Sequence, residues 1–114
     1  MANLFSQEVL VISKPGSDDK IRIETAQLKR AWNTLRAVKH PLRQKMLRLM
    51  EERGQVNVTT LYKTLKIEQA VASQQLKIMR DAGVVIANRN GKEIHYSVNV
   101  PRMHEVARIV PEIA

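Results

Sequence analysis

The chain has 114 residues, 44% of them hydrophobic, which suits one domain with one modest core and is too apolar for a disordered basic tail. Nineteen Lys and Arg against eleven Asp and Glu leave a formal net charge of +8, so the expected partner is anionic. There is no cysteine, which excludes disulfides, thiolate metal sites, iron–sulfur clusters and cysteine nucleophiles.

The first 23 residues read as an N-terminal arm or a short hairpin. Val9-Leu10-Val11-Ile12 and Ile21-Arg22-Ile23 are β-branched runs, and Lys14-Pro15-Gly16-Ser17-Asp18-Asp19-Lys20 between them is turn chemistry. The opening MANLFSQEVLVIS carries no positive charge ahead of its apolar patch, so no signal peptide is expected. No apolar stretch approaches the roughly 18 residues of a membrane span. The expected setting is soluble and cytoplasmic, with no membrane partner.

Residues 24–114 read as one helical domain. In residues 24–38, Leu28, Trp32, Leu35 and Val38 recur at helical spacing as one apolar stripe, with Lys29, Arg30, Asn33 and Arg36 off it. Pro41 suits the first turn of the next helix, which buries Leu42, Met46, Leu49 and Met50 and stops at Gly54. A short helix at 58–65 buries Val58, Leu61 and Leu65. A longer one at 68–82 clusters Ala72, Leu76 and Met79 on one side and shows Ala70, Ser73, Gln74 and Lys77 on the other, with Gln69 at its start. Two helices joined by two or three residues fit a helix-turn-helix. Val84 to Ala87 and Ile94 to Val98 then bracket Arg89-Asn90-Gly91-Lys92, where Asn-Gly marks a hairpin with a basic tip. Pro101 opens a last helix with Met103, Val106, Ala107 and Val110 on one face, and Pro111 is expected to fray its end.

The charge is localised. Residues 28–53 hold eight basic side chains and two acids, six of the eight net charges. Such a block is usually a solvated helix face. Beside a helix-turn-helix and a basic hairpin it points to nucleic acid. The expected fold is mainly α with a small β-hairpin wing, a winged helix-turn-helix in the order α-α-helix-turn-helix-hairpin-α.

Residues 40–99 resemble the ArsR-type family of bacterial repressors. The resemblance is carried by HPLRQKMLRLM, by VTTLYKTLKIEQAVASQQLKIMRDAGVV and by NRNGKEIHYSV, with ASQQLKIMRDAGVV at residues 72–85 the most diagnostic run. It implies a winged helix-turn-helix transcriptional regulator acting as a repressor. It also implies a homodimer that pairs through its terminal helices on a pseudo-palindromic double-stranded DNA operator. Some residues depart from the pattern. His40 stands where Asp usually caps the helix, which weakens that cap. Lys66 and Glu68 replace the Gly and Ser common in the turn, and Tyr62 replaces a small residue.

A recognition helix puts polar side chains near its N-terminus into the major groove. Gln69, Ser73 and Gln74 have the chemistry to read base edges, and Lys77 can reach a phosphate or a guanine. Thr59, Thr60 and Lys63 on the preceding helix suit phosphates, and Arg89, Asn90 and Lys92 suit the backbone or minor groove beside the site. Leu28, Trp32, Leu35, Met103, Val106 and Val110 are the expected dimer interface. Any one of these residues alone reads as an ordinary surface or core group; their order along the chain gives the functional reading.

No metal, cofactor or enzymatic activity is expected. The family's thiolate metal site would fall at Asn57 and Thr59, and His40, His95 and His104 sit in separate elements without ligand spacing. Met46, Met50, Met79 and Met103 fit packing. No catalytic motif or Gly-rich phosphate loop is present. The rival class is an RNA-binding or ribosome-associated winged-helix module. Gln69, Ser73 and Gln74 argue against it, because A-form RNA hides its major groove. The operator, the regulated genes and any effector are not written in the residues.

Overall fold

Pro41 at the first position of its helix sets the backbone without removing a needed N–H, and the chain turns from one helix into the next there. The computed structural model describes residues 9–113 except 14, 17 and 19, together with backbone alone at residues 10, 21, 23 and 109–113. Lys14, Ser17 and Asp19 of the first turn lie outside the described residues, as do the side chains of Val110 and Glu112. The elements run β1 (Val9–Ser13), β2 (Lys20–Glu24), α1 (Thr25–Val38), α2 (Pro41–Arg53), α3 (Val58–Leu65), α4 (Gln69–Asp81), β3 (Val85–Asn90), β4 (Glu93–Val98) and α5 (Val100–Ile113). The fold is a winged helix-turn-helix, with a further antiparallel ribbon of β1 and β2 ahead of it.

The core gathers apolar faces from α2, α3, α4 and the base of the wing. Met46, Met50, Leu61, Ala72, Leu76, Met79 and Val84 are sealed from solvent, and Leu42, Leu65, Tyr62 and Met103 pack around them. Burial of this kind stabilises by about 25 cal/mol per Å² of apolar surface removed from water. Tyr62 fits by lying at the rim of this cluster.

Helix α1 departs from the expected stripe. The residues it buries are small and partly polar: Thr25 in its first turn, then Ala31, Thr34 and Ala37. At 100° per residue, Leu28, Trp32 and Leu35 form a stripe centred about 125° round from Ala31, Thr34 and Ala37. They stay outside the central cluster, and Trp32 is 44% exposed. Thr34 is fully buried, and its Oγ1 lies 3.0 Å from the carbonyls of both Arg30 and Ala82. Its one hydroxyl proton serves these two acceptors, which ties α1 to the C-terminus of α4.

Three helix ends carry the local logic. The His40 side chain does cap α2: the Leu42 N–H donates to its Nδ1 at 3.2 Å. Asn57 caps α3, its Oδ1 accepting from the Thr60 N–H at 2.8 Å. Lys66 then ends α3 in the left-handed region, at φ 55° and ψ 46°, the place where Gly is favoured. Glu68 begins α4 without a side-chain cap. The α4 end follows the Schellman pattern: Val84 N–H donates to the Met79 carbonyl at 2.8 Å and Gly83 N–H to that of Arg80 at 3.0 Å.

Asn99 closes this end against the rest of the fold. Its Nδ2 donates to the Gly83 carbonyl at 2.9 Å, and its backbone N–H to the Val84 carbonyl at 2.9 Å. Its Oδ1 accepts from the Arg102 N–H at 3.3 Å, where α5 begins. The wing is anchored a second time by Val56, which exchanges both backbone hydrogen bonds with Tyr96 at 2.8 and 2.9 Å.

Two boundaries correct the sequence expectation. Asn90 pairs with Glu93, so the two-residue loop of the wing is Gly91-Lys92, one position later than Asn-Gly implied. Gly91 takes the positive φ, +67°, that the first loop position requires. Helix α5 continues through Pro111 to Ile113 rather than fraying there.

Two stability outcomes follow from this geometry. Replacing Lys66 with Gly relieves the left-handed strain and is expected to raise the unfolding free energy by about 0.5–1 kcal/mol. Asn99→Ala strands the Gly83 carbonyl and uncaps α5, and is expected to lower it by about 1–3 kcal/mol. Urea titrations followed by circular dichroism measure both; a neutral Asn99→Ala would show that the junction holds without its side chain.

Candidate nucleic-acid interface

A helix buried along one side must show its polar side to solvent. On α4 the buried residues are Ala72, Leu76 and Met79, so Ser73, Gln74 and Lys77 emerge away from the core, and Gln69 is exposed as the first residue of the helix. Gln75 does not join them. It is half-buried, and its Oε1 accepts from Arg43 Nε at 2.7 Å. The same guanidinium reaches the Ala37 carbonyl through Nη1 at 3.4 Å. Arg43 therefore braces α4 against α2 and the end of α1.

On α3, Thr59 and Lys63 are exposed. Thr60 is half-buried and its N–H is taken by the Asn57 cap. On the wing, Arg89, Asn90 and Lys92 are all exposed at or beside the loop. An open cleft of about 300 Å³ lies where α3, α4 and the wing meet. Thr59, Ser73 and Lys92, one from each element, line it together with Asn57, Tyr96 and Glu93. The fold thus brings together three groups that lie up to 33 positions apart in the chain. Gln69, Gln74, Lys77, Lys63 and Arg89 are not in the cleft lining.

The cleft is not uniformly basic. Glu93 contributes a carboxylate, which sits 3.2 Å from His95 Nε2 on the same strand. The basic block at residues 28–53 is likewise not one free surface. Arg30 lies 3.7 Å from Glu105 on α5, which also faces Arg102 at 4.0 Å, and Arg43 is committed to Gln75. Lys29, Arg36, Lys39, Lys45, Arg48 and Arg53 remain exposed. Part of the charge is structural, and the rest faces solvent and adds to the positive field of the chain as a whole.

Sequence reasoning missed Asn57, Arg43, Thr34 and Asn99. Asn57 had a legible signal, a capping residue three positions before Thr60. The other three make contacts that only the folded chain creates.

The proposed dimer residues separate into two kinds. Leu28, Trp32 and Leu35 stay at least partly exposed and outside the core. Met103 packs on the core, and Val106 is only 7% exposed, covered by its own chain as α5 lies on α1. Among the described residues there is no group of three or more His, Asp or Glu that could hold a metal, and no helix long and apolar enough to cross a membrane.

Comparison with known proteins places this geometry. Residues 40–87 match the family model described as bacterial regulatory protein, arsR family. The transcriptional repressor PagR of Bacillus anthracis is 33% identical over 92 residues, which is 81% of this chain and 92% of PagR. Its crystal structure superposes with a TM-score of 0.65 over 80% of this chain and all of that one. The transcriptional repressor BigR from Xylella fastidiosa is 28% identical and superposes with a TM-score of 0.55, over 78% of this chain and 91% of that one. A domain from Mycobacterium bovis described as a homodimeric winged helix-turn-helix DNA-binding domain shares the fold, at 22% identity and a TM-score of 0.64 over 87% of this chain and 91% of that one. The chain therefore belongs to the ArsR family of bacterial regulatory proteins, a family of DNA-binding transcriptional regulators rather than enzymes.

Proposed function

We propose that this regulator is a homodimeric repressor that reads a pseudo-palindromic operator with α4 and steadies it with the wing. The observation that carries this reading is the cleft in which Thr59, Ser73 and Lys92 converge from α3, α4 and the wing beside the exposed side of α4. Duplex DNA presents base edges and two phosphate backbones within one groove width, so a reader needs polar groups on one helix flanked by positive or hydroxyl groups on its neighbours. Gln69 and Gln74 would make the bidentate contacts that adenine accepts, and Ser73 would serve either base type. Lys77, Thr60, Lys63, Arg89 and Asn90 would hold the register on the backbone.

The dimer reading rests on α1. Its Leu28, Trp32 and Leu35 stripe is not used by the chain's own core. Burying such a stripe against a second copy recovers the apolar surface left in water. Repression agrees with the description of PagR, and a two-fold arrangement with that of the homodimeric Mycobacterium bovis domain. Val106 would support this interface from beneath, where α5 lies on α1, and Met103 by seating α5 on the core.

Gln74→Ala is expected to lose about 1–3 kcal/mol of preference for the operator over random DNA with the fold unchanged. Titration of both duplexes by fluorescence anisotropy, with structured RNA as competitor, measures it. An equal loss on both duplexes removes Gln74 from the reading set, and preferential binding of the RNA would sink the operator reading altogether. Leu35→Lys is expected to give folded monomers in sedimentation velocity. Val106→Lys is the contrast: it places a charge under α5 and is expected to lower the melting temperature instead.

A further inference from the structure

The ribbon at the start of the chain is left unexplained by DNA reading. Strand β1 pairs with β2 in the register Val9 to Glu24, Val11 to Arg22 and Ser13 to Lys20. Among the described residues, nothing pairs with the other edge of β1. A ribbon of two strands is marginal in water by itself. Its hold on the rest of the chain is made chiefly where β2 packs beside α1. The molecule measures 59 × 30 × 27 Å, and its radius of gyration of 17.7 Å exceeds the roughly 13 Å of a compact chain this long. The described molecule is therefore elongated, not closed into a ball.

The composition of the free edge is the second observation. Exposed edge strands are normally blunted by Lys, Pro or a bulge, because an open row of N–H and C=O groups recruits another strand. Strand β1, Val-Leu-Val-Ile-Ser, has none of these and no charge at all. Val9, Val11 and Ile12 are 37%, 47% and 47% exposed. All the charges of the ribbon's strands, Lys20, Arg22 and Glu24, are on β2.

Symmetry then selects the occupant. A two-fold interface sets the same surface against itself. In an antiparallel strand pair the two-fold passes through one directly opposed pair, so one residue faces its own equivalent. Around Val11 this brings Val9 opposite Ser13 and Leu10 opposite Ile12, with no like charges meeting. The same pairing through β2 would set Arg22 against Arg22. The ribbon is also continuous with the face already assigned to the dimer: β2 ends at Glu24 and α1, which carries Leu28, Trp32 and Leu35, begins at Thr25.

We propose that the free edge of β1 pairs antiparallel with β1 of a second copy of this chain, joining the two ribbons into one four-stranded sheet centred at or beside Val11. The inference rests on the homodimer reading above and names a further part of its interface. Such a sheet would fix the angle between the two α1 helices, and through Thr34 and the α4 terminus the separation of the two recognition helices.

The absence of native cysteine makes the test clean. Single cysteines are placed in turn at residues 9 to 13, with Asn90→Cys on the wing as control, and each protein is oxidised and run on non-reducing gels. Directly opposed residues in an antiparallel pair have Cα atoms about 4.5–5.5 Å apart, within reach of a disulfide. The expected result is one position in β1 that converts most of the protein to covalent dimer while Asn90→Cys does not. A protein that sediments as a dimer but links at no β1 position above the control overturns the ribbon pairing and leaves the α1 dimer standing. A wild-type chain that sediments as a monomer overturns both. As a check independent of cysteine, Val11→Lys and Val11→Glu are each expected to weaken dimerisation by about tenfold, and their mixture to restore it. Unchanged dimerisation in both variants also overturns the pairing.

Discussion

The surface shared by α4 and the wing depends on one junction, the Gly83–Val84 step after α4. Val84 is fully buried against Met79, and its N–H closes the helix end on the Met79 carbonyl. Gly83 takes φ +75°, and a Cβ there would stand 3.2 Å from the Arg102 guanidinium. Asn99 then binds both residues and caps α5. The end of the recognition helix, the start of the wing and the start of the last helix are thus set by one turn and one side chain. If that turn relaxed, Ser73 and Lys92 would no longer face one cleft.

A second constraint keeps the recognition helix in place from its other sides. Arg43 bonds Gln75 on the half-buried side of α4, and Thr34 bonds the carbonyl of Ala82 at its end. These are polar contacts in a small core, where a single unmet donor or acceptor costs about as much as a typical mutation. They also connect α4 to α1. In the proposed dimer, a change in how two copies of α1 pack would have a short route to α4, one hydroxyl long.

The turn between α3 and α4 shows a compromise of another kind. Lys66 occupies a left-handed position suited to Gly, and Glu68 opens α4 without capping it. Both are locally unfavourable, and the helix pair forms because Leu61, Leu65, Leu76 and Ala72 have a core to enter. Packing overrides local preference here, as it commonly does in short helices. Both residues keep their charges exposed to solvent.

Much of the fold was legible in the residues. The spacing of Met46, Leu49 and Met50, then of Ala72, Leu76 and Met79, marked which sides of α2 and α4 are inward, because helical period alone decides that. Ser73 and Gln74 as outward groups followed from the same period. The Asn-Gly signal located the wing, although only pairing of Asn90 with Glu93 set its register. In α1 periodicity identified an apolar stripe and could not say what covers it. The folded chain turned Ala31, Thr34 and Ala37 inward instead, since small residues let α1 approach its neighbours closely. The convergence of Thr59, Ser73 and Lys92, the Asn99 clamp and the division of arginines between bracing and solvent belong to the tertiary structure. Each joins residues far apart in the chain, and local sequence carries no term for a contact between distant residues. The sequence by itself determined what each helix would bury; only the packed fold decided which of the remaining polar groups share one surface.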